Sequence, residues 1–329
     1  MVTVMAKKKN RGYSGIGGQA VLEGIMMKKE ENYAVAVRKP NGEIEIDTET
    51  FHEILHGNRL KKLPLVRGIF QFADSLVLGM KSLNYSASFY EEDEETKLDK
   101  ALDKATRGHG EKFMTGLATV LSIVLAVGIF VILPYYITSL FDGFLRNRSL
   151  AALIEGVTRV CVFVLYLALI GAVKDIRRLF QYHGAEHKCI NCIERGRELT
   201  AANVLRSSRF HKRCGTSFIF FVLFVSIVLF FFIRSDSLAE KVGLRILMLP
   251  IVAGISYEII RLAGRSDHFL IRILSAPGMM IQRLTTREPD ESMVEVAIAA
   301  VEAVFDWKNY LRENFGYEPE ETGQEKVYF

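Results

Sequence analysis

Residues 218–233 read FIFFVLFVSIVLFFFI without a single charge, and this run constrains the chain more than any other stretch. A segment with no polar face cannot be a surface helix of a water-soluble domain, so it belongs in a bilayer or at the centre of a helical core. Apolar runs at 113–140, 150–173, 216–233 and 243–262 are each near the length that crosses a hydrocarbon layer of roughly 30 Å. Half of all residues are hydrophobic, which favours the bilayer. The expected fold class is a mainly α, polytopic membrane protein with four transmembrane helices, a small cytosolic β-hairpin and cytosolic helices. Glu155 and Arg159 in the second run, and Glu258 and Arg261 near the end of the fourth, are costly in lipid. Each must be paired, interfacial or functional.

Orientation follows from the connections, because Lys and Arg are retained in the cytoplasm. Connections 141–149 and 234–241 carry two each, whereas 174–213 carries ten. Both termini and the 174–215 loop are therefore expected on the cytoplasmic side of a multi-pass protein of the cell (inner) membrane. The net charge of +4 reports that topology and excludes nucleic acid as an expected partner. The expected partners are the lipid bilayer, further copies of the chain and other membrane proteins. The four cysteines lack the spacing of a secreted disulfide scaffold, so reduced thiols are expected. The N-terminal basic patch has no apolar core behind it and is not a cleavable signal peptide.

Outside the 113–265 membrane region the chain divides into a 1–112 N-terminal region, a 266–315 C-terminal segment and a 316–329 tail expected to be disordered. Gly15, Gly17 and Gly18 match no phosphate-binding fingerprint and read as turn chemistry. The alternation from Tyr33 to Lys39 and from Glu43 to Asp47, around Pro40-Asn41-Gly42, predicts a hairpin. Residues 65–89 are helical in period but interrupted by Arg67, Asp74 and Lys81, which suits a helix lying on the bilayer or packed as an amphipathic core helix. Residues 90–112 read as a solvated helix or linker. Pro289 and Asp290 predict the start of one helix running to about Phe315, with a wide apolar face from Val294 to Phe305.

The chemistry concentrates at 181–214, which holds three of the seven histidines and three of the four cysteines. His183-Gly184-Ala185-Glu186-His187 is an H-x-x-E-H sequence, the order found in one class of zinc hydrolases. On a helix, His183 and His187 share a face one turn apart and can hold a divalent ion, zinc by donor chemistry, with Glu186 free to accept a proton from water. The third ligand is open between Glu258, His211, Cys214 and Glu194. A rival arrangement is a closed structural zinc site built from Cys189-x-x-Cys192 and His211-x-x-Cys214. The bland alternative is a pair of hydrogen-bonded histidines at the membrane interface with no metal.

The sequence also resembles the YqhQ-like bacterial membrane proteins, domain of unknown function 1385, described as predicted metal-dependent enzymes. The resemblance runs from about Gly17 to Ala300. It is carried by Gly17 to Gly24 (GGQAVLEG) with Met26-Met27, Arg67-Gly68, Tyr182 to Lys188 (YHGAEHK), His211, Arg213 to Phe218 (RCGTSF), Tyr257-Glu258, Pro277-Gly278, Gln282 and Leu284 to Pro289 (LTTREP). It implies a membrane metalloprotein without supplying a reaction. Positions 189 and 192 depart from the family pattern, leaving His183, Glu186, His187, His211 and Cys214 as the matched polar set, with Arg213, Gln282 and Glu288 beside them.

Two functions follow as expectations. One is a metal-dependent hydrolase at the cytoplasmic face, with Glu186 as catalytic base and arginines of the loop available to an anionic substrate, although such arginines more commonly anchor to lipid headgroups. The other is a non-enzymatic membrane scaffold or assembly partner holding a structural metal or none. A transporter is disfavoured by the absence of an inverted repeat.

Overall fold

The computed structural model describes residues 12–90, 110–141, 148–232, 237–265 and 268–318. Most of the 90–112 linker, most of the 141–149 connection and the tail from 319 onward lie outside the described residues.

Four strands, β1 (Ile16–Val21), β2 (Gly24–Lys29), β3 (Asn32–Arg38) and β4 (Ile44–Thr50), form an antiparallel meander in chain order. The β3–β4 pair is the expected hairpin, in register Val35↔Asp47 and Arg38↔Ile44. Strands β1 and β2 were not expected. Gly17 and Gly18 lie within β1, so the turn reading fails for that pair while Gly15 keeps the positive φ of a turn, at 72°.

Period-two alternation gives the sheet two buried faces. Tyr33, Val35 and Val37 point to one face with Val21 and Met26, and pack with Leu78 of α1 (Val66–Ala87). Ile25, Met27 and Ala36 point to the other and join a larger core with Tyr182, Ala185 and Ile190 of α5 (Lys174–Glu194) and Val296, Ala297 and Ala300 of α10 (Glu291–Val304). Arg178 and Tyr182 of α5 both bond Glu23 in the β1–β2 turn, which pins the sheet to that helix. The expected single C-terminal helix is two. Asp290 caps α10 through Met293 N at 3.0 Å, and after a break at Phe305 a second cap, Asp306 to Asn309 N at 2.9 Å, starts α11 (Trp307–Phe315). The break turns Trp307 and Leu311 into the same core.

Among the described residues three helical stretches are long and apolar enough to cross a membrane: Gly116–Ser139, Leu150–Ile170 and Val242–Ala263. The first joins α2 (Gly110–Val127) to α3 (Leu133–Ser139) through a π turn, and the others lie in α4 (Arg148–Ile170) and α8 (Leu238–Arg265). The purest run forms α7 (Gly215–Phe230), only 16 residues long, about 24 Å at 1.5 Å per residue. It packs against α8 and α9 (Phe269–Thr285). Helix α9, which contains Pro277, was not expected. The charges within the apolar helices are paired: Arg159 and Arg245 reach Glu155 at 2.8 and 2.6 Å, and all three are buried.

Helix α1 is amphipathic in an inverted sense. Gly68, Asp74, Gly79, Ser82 and Ser86 face the protein, while Phe72, Leu76, Val77, Met80 and Leu83 are exposed. Its small residues permit close packing on α8, where Arg67 Nε donates to Glu258 Oε1 at 2.6 Å.

Candidate metal centre

The H-x-x-E-H sequence lies on α5, as its spacing requires, and the two imidazoles converge with ring centroids 4.4 Å apart. Cys214, the N-cap of α7, completes the group: one donor atom from each of His183, His187 and Cys214 lies within 4.8 Å of the others. His183 Nε2 stands 3.1 Å from Cys214 Sγ. Two ligands of a tetrahedral zinc ion at about 2.0 and 2.3 Å are separated by roughly 3.5 Å, so the spacing fits.

Each imidazole is oriented by its other nitrogen. His183 Nδ1 donates to Thr285 O at 2.8 Å and His187 Nδ1 to Arg209 O at 2.6 Å. A carbonyl only accepts, so Nδ1 carries the proton in both rings and Nε2 is directed at the common point, the pattern that orients metal-binding histidines. Burial opposes charge on His183, yet Cys214 beside it pushes its pKa up to about 9. Burial would likewise raise the Cys214 thiol, but His183 and His187 hold it well below its ordinary value. The amide of Thr216 at the start of α7 also donates to Sγ, at 3.4 Å. The thiolate is the ligand form of cysteine, and a cation would take the place of the proton on His183.

Glu186 is buried, lines the same cavity and stands outside the three-donor group. Burial raises its pKa, partly offset by His187, His183 and a hydrogen bond from Gly18 N–H. That contact explains the glycine in β1. A Cβ at Gly18 would lie 2.6 Å from Met26 O and 3.1 Å from Glu186 Cδ. Gly184 serves a parallel purpose on α5, where a Cβ would lie 2.0 Å from Arg287 O. The segment that carries Thr285 is thereby drawn against the helix.

The family model described as "Protein of unknown function (DUF1385)" matches residues 63–307. The chain belongs to this family. An "Uncharacterized protein YqhQ" of Bacillus subtilis (strain 168) is 33% identical over 285 residues, covering 86% of this chain and 89% of that protein. No solved structure matches the chain. The match to the DUF1385 model encloses all three donors and Glu186.

The remaining candidates in this DUF1385 chain have other placements. Glu258 is not brought to the histidines; it is held by Arg67 and lies 3.8 Å from Arg261. His211 approaches His187 at 5.6 Å between centroids but turns Nε2 to Glu194 Oε2 at 3.6 Å. Burial lowers the His211 pKa. Glu194 is engaged by Arg213, and by Ser14 N and Oγ at 3.0 and 2.8 Å. Burial alone would raise its pKa, but His211 and Arg213 hold it down to about 2. Glu288 pairs with Lys188 at 2.8 Å and Arg209 at 3.4 Å on the rim. Gln282, fully buried, clamps the loop before Cys214: its Oε1 accepts from His211 N at 2.9 Å, and its Nε2 donates to His211 O at 2.7 Å and Ser217 Oγ at 2.9 Å.

The cysteine-based alternative is not assembled. Cys189 is a core residue whose pKa burial pushes well up, and burial raises Cys192 to about 11, with its thiol 3.3 Å from Glu198 O. Neither belongs to a donor group. The other set of converging donors among the described residues, Glu31, His52 and His56, lies at the exposed end of the sheet. The roles that sequence reasoning missed are those of Gly18, Thr285 and Arg209, the last two acting through backbone carbonyls.

Proposed function

We propose that this chain is a metal-dependent hydrolase of the cell membrane, with His183, His187 and Cys214 as the ligands of one divalent ion, zinc by donor chemistry, and Glu186 as general base. The observation that carries the reading is the convergence of two carbonyl-oriented imidazoles and a helix-capping thiolate on one point, beside a buried carboxylate in an open cavity. A closed structural site has four protein ligands, whereas a site with three leaves a position for water or substrate. That feature favours the enzyme over the scaffold. A divalent ion bound there supplies Lewis acidity and lowers the pKa of water. The chain's own part is to hold the ligands, exclude bulk water and let Glu186 accept a proton.

In this reading α7 is a fourth span, and the sheet, the metal centre and both termini lie in the cytoplasm. The basic residues of 174–213 support that orientation.

Elemental analysis of the purified protein tests the assignment. One equivalent of metal is expected in wild type and in Glu186→Gln, and loss is expected in a His183→Ala, His187→Ala variant. Full metal retention in the double variant would sink the proposal. Loss of cellular function in Glu186→Gln, with metal retained, separates an enzyme from a scaffold.

A further inference from the structure

The cavity beside the donors has a volume of about 570 Å³, within the range of small-molecule sites. Its ends differ in kind. At one end lie His183, Glu186, His187 and Cys214. The rest of the wall is mostly apolar, with Phe72 and Leu76 of α1, Phe180 of α5, Phe218 and Ile219 of α7 and Ile260 of α8, interrupted by Gln71 and Ser75 of α1 and Gln19 of β1. Phe72, Leu76 and Ile219 are 40, 54 and 42% exposed, so this wall continues directly into the outer surface.

That surface is itself apolar. Leu76 belongs to the outward face of α1 with Val77, Met80 and Leu83. Ile219 stands in the second turn of the most hydrophobic helix, and Ile260 lies near the end of the Val242–Ala263 span. In the membrane reading, a cavity bordered by these exposed residues opens toward hydrocarbon. A second feature limits the head group. Among the described residues Arg213 is the one Lys or Arg lining the cavity, and it is engaged by Glu194. Apart from a bound metal ion the lining therefore offers no unpaired cation to a charged head group, and an uncharged acyl linkage needs none.

Building on the metal-hydrolase reading, we infer that the substrate is a membrane-borne amphiphile, with its hydrocarbon chain lying along Phe72, Leu76, Phe180 and Ile219 and an acyl ester or amide bond placed at His183, His187 and Cys214. The chemistry is simple hydrolysis. Water oxygen bonds to the acyl carbon, the bond from that carbon to the leaving oxygen or nitrogen breaks, and the proton accepted by Glu186 passes to the leaving group. No oxidant or reductant is required.

The test uses the full-length chain in phosphatidylcholine–phosphatidylglycerol vesicles and a palmitic acid methyl ester with a mid-chain diazirine. After illumination, adducts are mapped by peptide mass spectrometry. Adducts are expected at Phe218–Ile219 and Phe180, falling at least tenfold in Ile219→Trp and in Leu76→Trp. Both positions are partly open, so the larger ring narrows the entrance without entering the core. Wild-type protein stripped of metal with chelator should still label at Phe218–Ile219 and Phe180, because those contacts hold the hydrocarbon chain rather than the acyl bond. Labelling at the cavity in a protein that holds no metal as purified would leave the lipid site standing and remove the hydrolase. A metal-loaded protein labelled only on the outward face of Gly116–Ser139, or labelled equally in both Trp variants, would overturn this inference and leave the metal centre intact. In the metal-loaded protein, hydrolysis of p-nitrophenyl acyl esters should rise about two- to fourfold per added methylene, and Ile219→Trp should flatten that slope.

Discussion

His183 Nε2 and Cys214 Sγ stand 3.1 Å apart although 31 positions separate them in the chain. The loop between them is tied back to α5 by Lys188, whose Nζ donates to Leu205 O and Ser207 O at 2.8 and 2.9 Å, and by Asn191, which donates to Ser208 O at 2.7 Å. A braced loop thus delivers Cys214 to the two imidazoles. Cys214→Ala should lower bound metal at least tenfold, while Cys189→Ser and Cys192→Ser should keep a full equivalent wherever the variant folds. Metal content per folded chain measures all three, and equal retention by Cys214→Ala would remove cysteine from the ligand set.

Gln282 touches neither imidazole and acts through the loop. Its side chain pairs with both backbone groups of His211 and with Ser217, fixing the approach to Cys214 from either side. Replacing it by Leu leaves buried backbone groups without partners, a cost of about 1–3 kcal/mol each. The expected result is metal affinity weakened by about 10- to 100-fold, read by chelator competition. A purely structural role would lower thermal stability and leave that affinity unchanged.

On the proposed assignment, Gly18→Ala should act on Glu186 and spare His183, His187 and Cys214. The new methyl would meet Met26 O and the Glu186 carboxyl carbon, and strand β1 cannot retreat without disturbing its pairing with β2. Overpacking of this kind costs about 1–3 kcal/mol. Metal content should stay at one equivalent while hydrolysis falls at least tenfold. Unchanged turnover would show that Glu186 has no fixed position to lose.

The features legible in the sequence are those that depend on local pattern. The apolar runs, the β3–β4 hairpin, the helical H-x-x-E-H pair and the cap before Glu291 are all set by residues within a turn or two of one another. What escaped depends on long-range closure. Glu258 was a third-ligand candidate by its placement at the expected cytoplasmic end of the fourth apolar run, but its partner Arg67 lies 191 positions away. The carbonyls of Thr285 and Arg209 have no signature, since every residue carries one. Gly17 and Gly18 lack side chains to alternate, so β1 had no period to detect. Helix α9 survives its proline because neighbouring helices supply the packing that propensity withholds.

Glu194 sets the acid limit of the site. Its folded-state pKa of about 2 lies below the ordinary carboxylate value of 4.5, so the ionised form is favoured by folding. The associated stability is fully present above about pH 5 and is lost as pH falls toward 2. The carboxyl is buried, and a shift of this size corresponds to roughly 3 kcal/mol. Glu194→Gln removes that dependence but leaves Arg213 beside a neutral amide. Denaturant unfolding from pH 7 to pH 3 should show wild type losing stability across the acid range more steeply than the variant. The gap between wild type and Glu194→Gln should narrow across this range and close only as pH approaches 2. Parallel curves across the whole range would mean that the Ser14, Arg213 and His211 contacts do not discriminate the charged carboxylate from the neutral one.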